Sequence, residues 1–179
     1  NESSLMRKCF DEIHKYILDQ SKPYQSIYKQ IKQNGVIKIE TTNLDFFSFL
    51  TKTIISQQIS NLVAEKLWHE IFTLAKSFKS SKKITWDQKL LEVCLNKNIS
   101  YNKKNAILHV NHLLTQQKLK VSKLIKLSDL ELQKKLIRIK GVGQWTADIM
   151  LIFFFRRLNI FPENDLVINK VKKKFELLE

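Results

Sequence analysis

Glycine is scarce in this chain: three in 179 residues. Proline is as rare, with two, and no stretch rich in Gly, Pro or Ser is long enough to act as a flexible linker. There are two cysteines, Cys9 and Cys94, far apart in sequence, with no CxxC and no histidine spaced for zinc. That excludes a structural zinc site or a four-cysteine iron–sulfur cluster within the chain, and points to a reducing compartment. The longest purely apolar run, Ile149–Phe155, is far too short to span a bilayer. The N-terminus carries no signal-peptide pattern. The chain does not begin with Met, as expected of a fragment or a trimmed chain. Acidic residues are also few: 17 Asp and Glu stand against 31 Lys and Arg, a formal net charge of +14. An excess of that size favours a polyanionic partner, nucleic acid or an anionic membrane surface. A composition biased toward Lys, Asn, Ile and Phe would give the same charge with no functional meaning.

What is present reads almost entirely as helix, with hydrophobic residues at 44% and charged residues at 27%, a globular balance. Residues 5–18 place Leu5, Cys9, Ile13, Tyr16 and Ile17 on one stripe, and 24–33 form a second short helix. "NGVIKIETT" reads as a turn with a brief extended piece. A longer helix from Asn43 carries Phe46, Phe47, Leu50 and Ile54. After "SQQIS" another turns Leu62, Val63, Leu67, Ile71 and Phe72 inward. "KSFKSSKK" (76–83) is a basic loop. Helices follow near 86–96 and 102–115, the second with Ala106, Ile107, Val110, Leu113 and Leu114 on one side. Ser128 with Glu131 makes a capping box that opens a helix burying Leu132, Leu136 and Ile139. Residues 145–156 are nearly all apolar, the mark of a central buried helix. "NIFPEND" is a loop, and Leu166–Leu178 a last helix with Val167, Val171, Phe175 and Leu178 aligned. The fold class is all-α, without repeats.

Two of the three glycines, Gly141 and Gly143, sit together in "KGVGQ", between two of these helices. Glycine tolerates positive φ and lets another backbone come close. Successive N–H groups at the start of the following helix form an anion site suited to a DNA phosphate. A sharp connection needing glycine for steric reasons alone explains the pair equally well.

The longer string is more specific. "LIRIKGVGQWTADIML" resembles the helix–hairpin–helix motif of the DNA glycosylase superfamily that includes endonuclease III, and G-V-G-x-W-T-A-D is most similar to the 3-methyladenine DNA glycosylase II, or alkylation-repair, branch. "FLTKTIISQQISNLVAEKLWHEI" (49–71) is similar to the family's I-I-x-Q-Q-I-S-x-x-A-A helix pair, and "IFPENDLVI" (160–168) to its V-F-P-x-x-D-L-x-I segment. "ISYNKKNAILHVNHLL" (99–114) resembles its L-S-x-x-K-x-x-x-L helix more weakly. The resemblance covers residues 24–175. Asn98 departs from it where a glycine is usual, and Asn159 and Asn164 where Asp is frequent. The family commonly continues past the last helix with a further W-x-P-y-R-S-type helix, whereas this chain stops at Glu179. The implied organisation is a single domain over 1–179, with the hairpin at 129–156, without that last helix. The implied architecture is two helical lobes with the active site in the cleft between them.

The resemblance also implies chemistry. Such an enzyme flips a damaged nucleotide out of the duplex and breaks the bond between base and sugar through an oxocarbenium-like transition state. A fixed carboxylate stabilises the growing positive charge and orients water. Asp165 matches that residue and is also placed to cap a helix, two roles that can coexist. Glu163 matches no acidic position of the family. Trp145 stands where bifunctional relatives carry a Schiff-base lysine, implying a monofunctional glycosylase with no lyase step. In the alkylation branch this tryptophan lines the base pocket, where its ring suits cationic alkylated purines of the 3-methyladenine and 7-methylguanine type. A core tryptophan is the alternative. Ile149, one turn on, would add an apolar wall. Gln57 or Gln58 stands where the family has its duplex wedge, although a polar pair there also fits a helix terminus. Gly141, Val142, Gly143, Gln144 and Thr146 would hold the phosphate, and the main-chain oxygens of Ile137, Ile139 and Val142 a monovalent Na+ or K+. No other cofactor is implied. Lys103, Lys104, Lys140, Lys170 and Lys172–Lys174 lie near the implied DNA segments. The expected partner is double-stranded DNA with damaged bases, engaged by a monomer without membrane contact. The compartment follows the DNA: bacterial cytoplasm, or a nuclear or organellar space. Two alternatives remain: a non-catalytic module that binds DNA structures, and the same fold acting on uracil, mispaired or oxidised bases.

Overall fold

The computed structural model describes residues 2–40, 42–78, 84–95 and 99–176. Among them every regular element is helical. The chain forms two compact units, Asn1–Glu40 and Thr41–Glu179, although no composition shift marks the division.

In the first unit, α1 (Glu2–Gln20) and α2 (Gln25–Asn34) form an antiparallel pair joined by a short turn at Ser21–Tyr24. Gly35 ends α2 at φ +66°, its N–H donating to the Ile31 carbonyl, a left-handed stop that glycine adopts readily. The segment that follows, 35–40, forms neither helix nor paired strand. Ile13, Tyr16 and Ile17 of the expected stripe are exposed, and among the described side chains of α1 Phe10 is the buried one.

The second unit is built around α3 (Phe46–Ser56), which packs against α4 (Asn61–Ser77), α6 (Tyr101–Thr115) and α9 (Gln144–Ile149). Asp45 starts it, its carboxylate accepting the Ser48 N–H at 3.0 Å, as an N-cap residue should. Leu50, Ile54 and Ile55 are its fully buried face. The expected stripe of α4 holds at Leu67, Ile71 and Phe72, which pack on or in the core, and fails in the first turn. Ala64, Trp68, Ile71 and Ala75 are buried, while Leu62 (82% exposed) and Val63 (47%) point out. Asn61, which opens α4, lines an open cavity, and Leu62 and Val63 after it are left exposed. α5 (Gln88–Cys94) and α7 (Val121–Leu124) are short braces. The basic loop lies mostly outside the described residues (79–83), as does Asn98; α4 itself runs on through Ser77.

α8 (Asp129–Ile137) opens with the expected capping box, Ser128 and Glu131 satisfying each other's backbone N–H groups. Leu132, Leu136 and Ile139 are buried as expected. The expected continuous helix over 145–156 is instead α9 followed by a π turn, Met150–Phe154. There the N–H of Phe155 reaches the carbonyl of Met150, five residues back, at 3.0 Å. Arg156 then turns left-handed at φ +59°. Arg157 anchors the exit, donating to the carbonyls of Ile125 and Leu127, both at 3.0 Å. Hydrophobic periodicity cannot foresee a π turn in a run where every residue is apolar. α10 (Leu166–Glu176) is the last helix, and its Val167 and Val171 are exposed rather than aligned on a core; Leu178 lies outside the described residues.

Because α3 is enclosed by three other helices, truncating its centre leaves a void that cannot collapse easily. Leu50→Ala is expected to lower the unfolding free energy by about 2–5 kcal/mol, measured by urea denaturation.

Candidate nucleic-acid site

One large cavity, about 1210 Å³, lies wholly within the unit Thr41–Glu179. Three segments, spread between residues 56 and 170, line it. One is the α3–α4 corner, Ser56–Asn61. Another is the end of α8 with the following hairpin, including Ile137 and Ile139–Thr146. The third is the start of α10, with Asn164–Val167 and Lys170. The cavity thus gathers Asp165, Trp145, Gln57, Gln58, Gly141, Val142, Gly143, Gln144, Thr146, Ile137 and Ile139. Ile149 is not among its lining residues. It sits four residues beyond Trp145, about 6 Å deeper along the helix, where α9 passes into the core. Glu163 does not line it either.

Asp165 caps α10. One carboxylate oxygen accepts the N–H groups of Val167 (2.8 Å) and Ile168 (3.1 Å). The other accepts the indole N–H of Trp145 at 2.8 Å. Burial pushes its pKa up, but these three hydrogen bonds to the charged form outweigh it and hold the carboxyl below the usual range. Asp165 is therefore ionised at neutral pH, held in position on both oxygens, and still at the cavity wall. Cap and cavity carboxylate are one residue, as expected. Trp145 is half-buried, with one edge fixed by that bond, and it lines the cavity rather than the interior of the core.

The hairpin glycines differ. Gly141 has φ +85°, and a Cβ there would collide with the Cβ of Ala106 on α6. It is required sterically, twice over. Gly143 has an extended backbone, and a Cβ there would meet nothing within 4 Å. Nothing in the protein demands glycine at 143; the space in front of it is cavity. Residues 144–146, the first turn of α9, line that space, and Gly143 supplies no side-chain cap to their N–H groups.

Three candidate side chains are already committed. Gln57 donates its amide to the Gly141 carbonyl and the Thr146 hydroxyl, both at 2.9 Å, which ties the α3–α4 corner to the hairpin. The Thr146 side chain is buried and used as that acceptor. Gln144 donates to Asp148 at 3.0 Å, which turns its side chain toward the hairpin's own helices. Gln58, by contrast, is exposed and left-handed at φ +57°. Lys103 turns inward as well, donating to the carbonyls of Ile55 (2.8 Å) and Gln57 (2.7 Å). Burial lowers its pKa. Lys140 and Lys170 are the lysines that line the cavity.

Asp148 is a residue the sequence reading passed over. It is buried, and one oxygen accepts both Gln133 (2.6 Å, from α8) and Gln144. Burial raises its pKa, against the two amide hydrogen bonds. It cross-braces the two helices of the hairpin. The i,i+4 spacing of Gln144 and Asp148 was the available signal. No group of three or more His, Cys, Asp or Glu able to hold a metal occurs among the described residues. Nor is any described helix long and apolar enough to cross a membrane.

No family model matches the chain. It is 28% identical over 145 residues to the DNA-3-methyladenine glycosylase of Saccharomyces cerevisiae, covering 77% of this chain and 49% of that protein. It is 33% identical over 79 residues to a Bacillus subtilis protein provisionally named as a DNA-3-methyladenine glycosylase, covering 44% of this chain and 28% of the other. The chain thus spans half or less of the length of these curated relatives. Among solved structures it superposes on the 3-methyladenine DNA glycosylase Mag1 of Schizosaccharomyces pombe in complex with abasic DNA. That match has a TM-score of 0.67 at 22% identity and covers 85% of this chain and 76% of the other. The all-helical class is that of these enzymes, and the resemblance to the DNA-3-methyladenine glycosylases extends from motif to fold.

The two glycines separate in a mutational test. Gly141→Ala is expected to cost about 2–4 kcal/mol in urea unfolding, from backbone strain and the collision with Ala106. Gly143→Ala is expected to leave stability within about 0.5 kcal/mol. Its loss should fall on ligand affinity, measured by DNA titration.

Proposed function

We propose that this chain, with its glycosylase fold and its similarity to 3-methyladenine DNA glycosylases, is a monofunctional DNA N-glycosylase that excises alkylated purines by hydrolysis. The observation that carries this reading is the Trp145–Asp165 hydrogen bond at the wall of the cavity. It joins a π surface for the base to a carboxylate for the sugar. A flipped 3-methyladenine or 7-methylguanine carries positive charge, which favours the face of the indole. As the glycosidic bond breaks, charge moves onto the sugar ring. Asp165, held ionised by its three donors, stabilises that charge from a fixed position and can orient the attacking water. With tryptophan at 145, no amine stands at that position to attack C1′, in keeping with hydrolysis and no strand cleavage.

The other roles follow from which groups remain free. Gly143 and the first N–H groups of α9 offer a phosphate grip with room for the backbone to approach. Lys140 and Lys170 add positive charge at the cavity, and the net charge of +14 steers DNA toward it. Gln58 is the better wedge, because Gln57 is bound to the hairpin. A flexible amide at 58 could hydrogen-bond the base left without its partner. A monovalent cation suits the main-chain oxygens of Ile137, Ile139 and Val142, since all three residues border the cavity beside the proposed phosphate grip. It would supply positive charge toward that phosphate. The partner would be double-stranded DNA, bound by a monomer.

The test is release of methylated bases from alkylated duplex DNA. Asp165→Asn should keep DNA binding and lower the single-turnover rate by about 10²–10³. Excision at the wild-type rate would sink the mechanism. A panel of uracil, mispaired and oxidised lesions checks the substrate class, with release expected from the alkylated purines. The pH profile is a second check. A depressed Asp165 pKa keeps the carboxylate charged as the pH falls, so the acid limb should lie below the ordinary carboxylate range. The structural contribution of its ionised form is likewise present above the unfolded pKa and lost as pH falls through the folded one. Trp145→Phe removes one donor to the charged form and should move the acid limb upward.

A further inference from the structure

The cavity has two walls whose spacing must be set by something: the α3–α4 corner, which presents Gln58, and the hairpin, which presents Gly143 and Trp145. α6 contributes no residue to the cavity lining, yet it touches both walls from behind. Ala106 on α6 receives Gly141 of the hairpin in a contact too close for a Cβ. Three residues earlier on the same helix, one turn away, Lys103 donates to the carbonyls of Ile55 and Gln57 at the corner.

Those two carbonyls lie where α3 stops. The Gln57 N–H still reaches back to Ile54, and Gln58 then turns left-handed. Helix ends of this kind leave carbonyls without partners and carry partial negative charge. The ammonium of Lys103 answers both needs at one point. The Gln57 side chain then continues the tie across to Gly141 and Thr146. The result is a closed loop of contacts: α6 to the corner through Lys103, the corner to the hairpin through Gln57, and the hairpin back to α6 through Gly141 and Ala106.

We propose that Lys103 is a positioning residue: it fixes the α3–α4 corner on α6 so that Gln58 stands at a set distance from the hairpin and Trp145. This rests on the glycosylase reading above. Its function is in opening the duplex, the step that Gln58 would assist, rather than in breaking the glycosidic bond. A lysine here therefore serves DNA recognition without touching DNA.

The experiment compares wild type, Lys103→Met, Lys103→Gln and Lys103→Arg on the same alkylated purine in two settings, one paired in a duplex and one opposite an abasic gap. The unpaired lesion needs little help to leave the stack. Lys103→Met is expected to slow single-turnover excision of the paired lesion by about tenfold or more, a penalty typical of modest misplacement, and of the unpaired lesion by less than about twofold. Lys103→Arg, which keeps the charged donor, should recover most of the loss. Lys103→Gln, which keeps a neutral donor, should lie between, and carries the comparison if the methionine variant melts. A 2-aminopurine beside the lesion reports duplex opening independently of chemistry, and its signal should fall in Lys103→Met. Equal slowing on both substrates, or none on either, overturns the proposal. If wild type raises the 2-aminopurine signal without releasing base, the glycosylase reading fails while the positioning role stands or falls on the variant's fluorescence. If wild type does neither, both are overturned.

Discussion

Gly141 and Ala106 approach so closely that neither partner can grow, and the cavity is organised around that contact. It brings the hairpin backbone onto α6 at the same residue whose left-handed turn precedes α9. It also puts the Gly141 carbonyl within reach of Gln57. From there the polar ties follow: Gln57 to the hairpin, Lys103 to the corner, Asp148 across the two hairpin helices. These are partly or fully buried polar groups that each find a partner, so they add rigidity where an unpaired group would add cost. Removing the contact would not delete one interaction but loosen the frame on which the others are measured.

The site separates groups that hold the protein together from groups left for a ligand. Gln57, Thr146, Gln144 and Lys103 are polar residues beside or behind the cavity, yet their side-chain donors or acceptors are already engaged within the chain. Gly143, Gln58, Lys140 and Lys170 border the same cavity with no such role evident in their contacts. Asp165 belongs to both sets. Its N-cap bonds and its bond to Trp145 make it a structural residue, and the same bonds keep it charged at the cavity. Burial alone would drive the carboxyl toward its neutral form, so the three donors decide the state in which a substrate would meet it.

Much of this was legible in the sequence, for reasons that differ by residue. Leu132 and Leu136, or Ala106, Ile107 and Val110, declare their helices because local periodicity and burial agree there. The capping box of α8 is local too. Asp165, Trp145 and the glycine pair were located by resemblance of short ordered motifs, and their meeting in one cavity follows the fold. The α4 stripe fails at Leu62 and Val63 because periodicity assumes a core where these two apolar residues face outward. The π turn was hidden because Met150–Phe154 has no polar residue to mark a phase. The ties Gln57–Thr146 and Lys103–Gln57 span 89 and 46 residues, and no local pattern encodes a partner that distant.

The left-handed backbone at Gln58 has a consequence of its own. β-branched side chains are strongly disfavoured at such φ, and asparagine and glycine are favoured. Valine, isoleucine and threonine are therefore filtered out at this position by the shape of the corner, before any encounter with a duplex. Since the Gln58 side chain carries no tie that the fold depends on, the remaining residue types can be exchanged with little penalty to folding. Evolution at this corner would then run along a short menu set by backbone geometry, with the choice among its members left to whatever stands opposite.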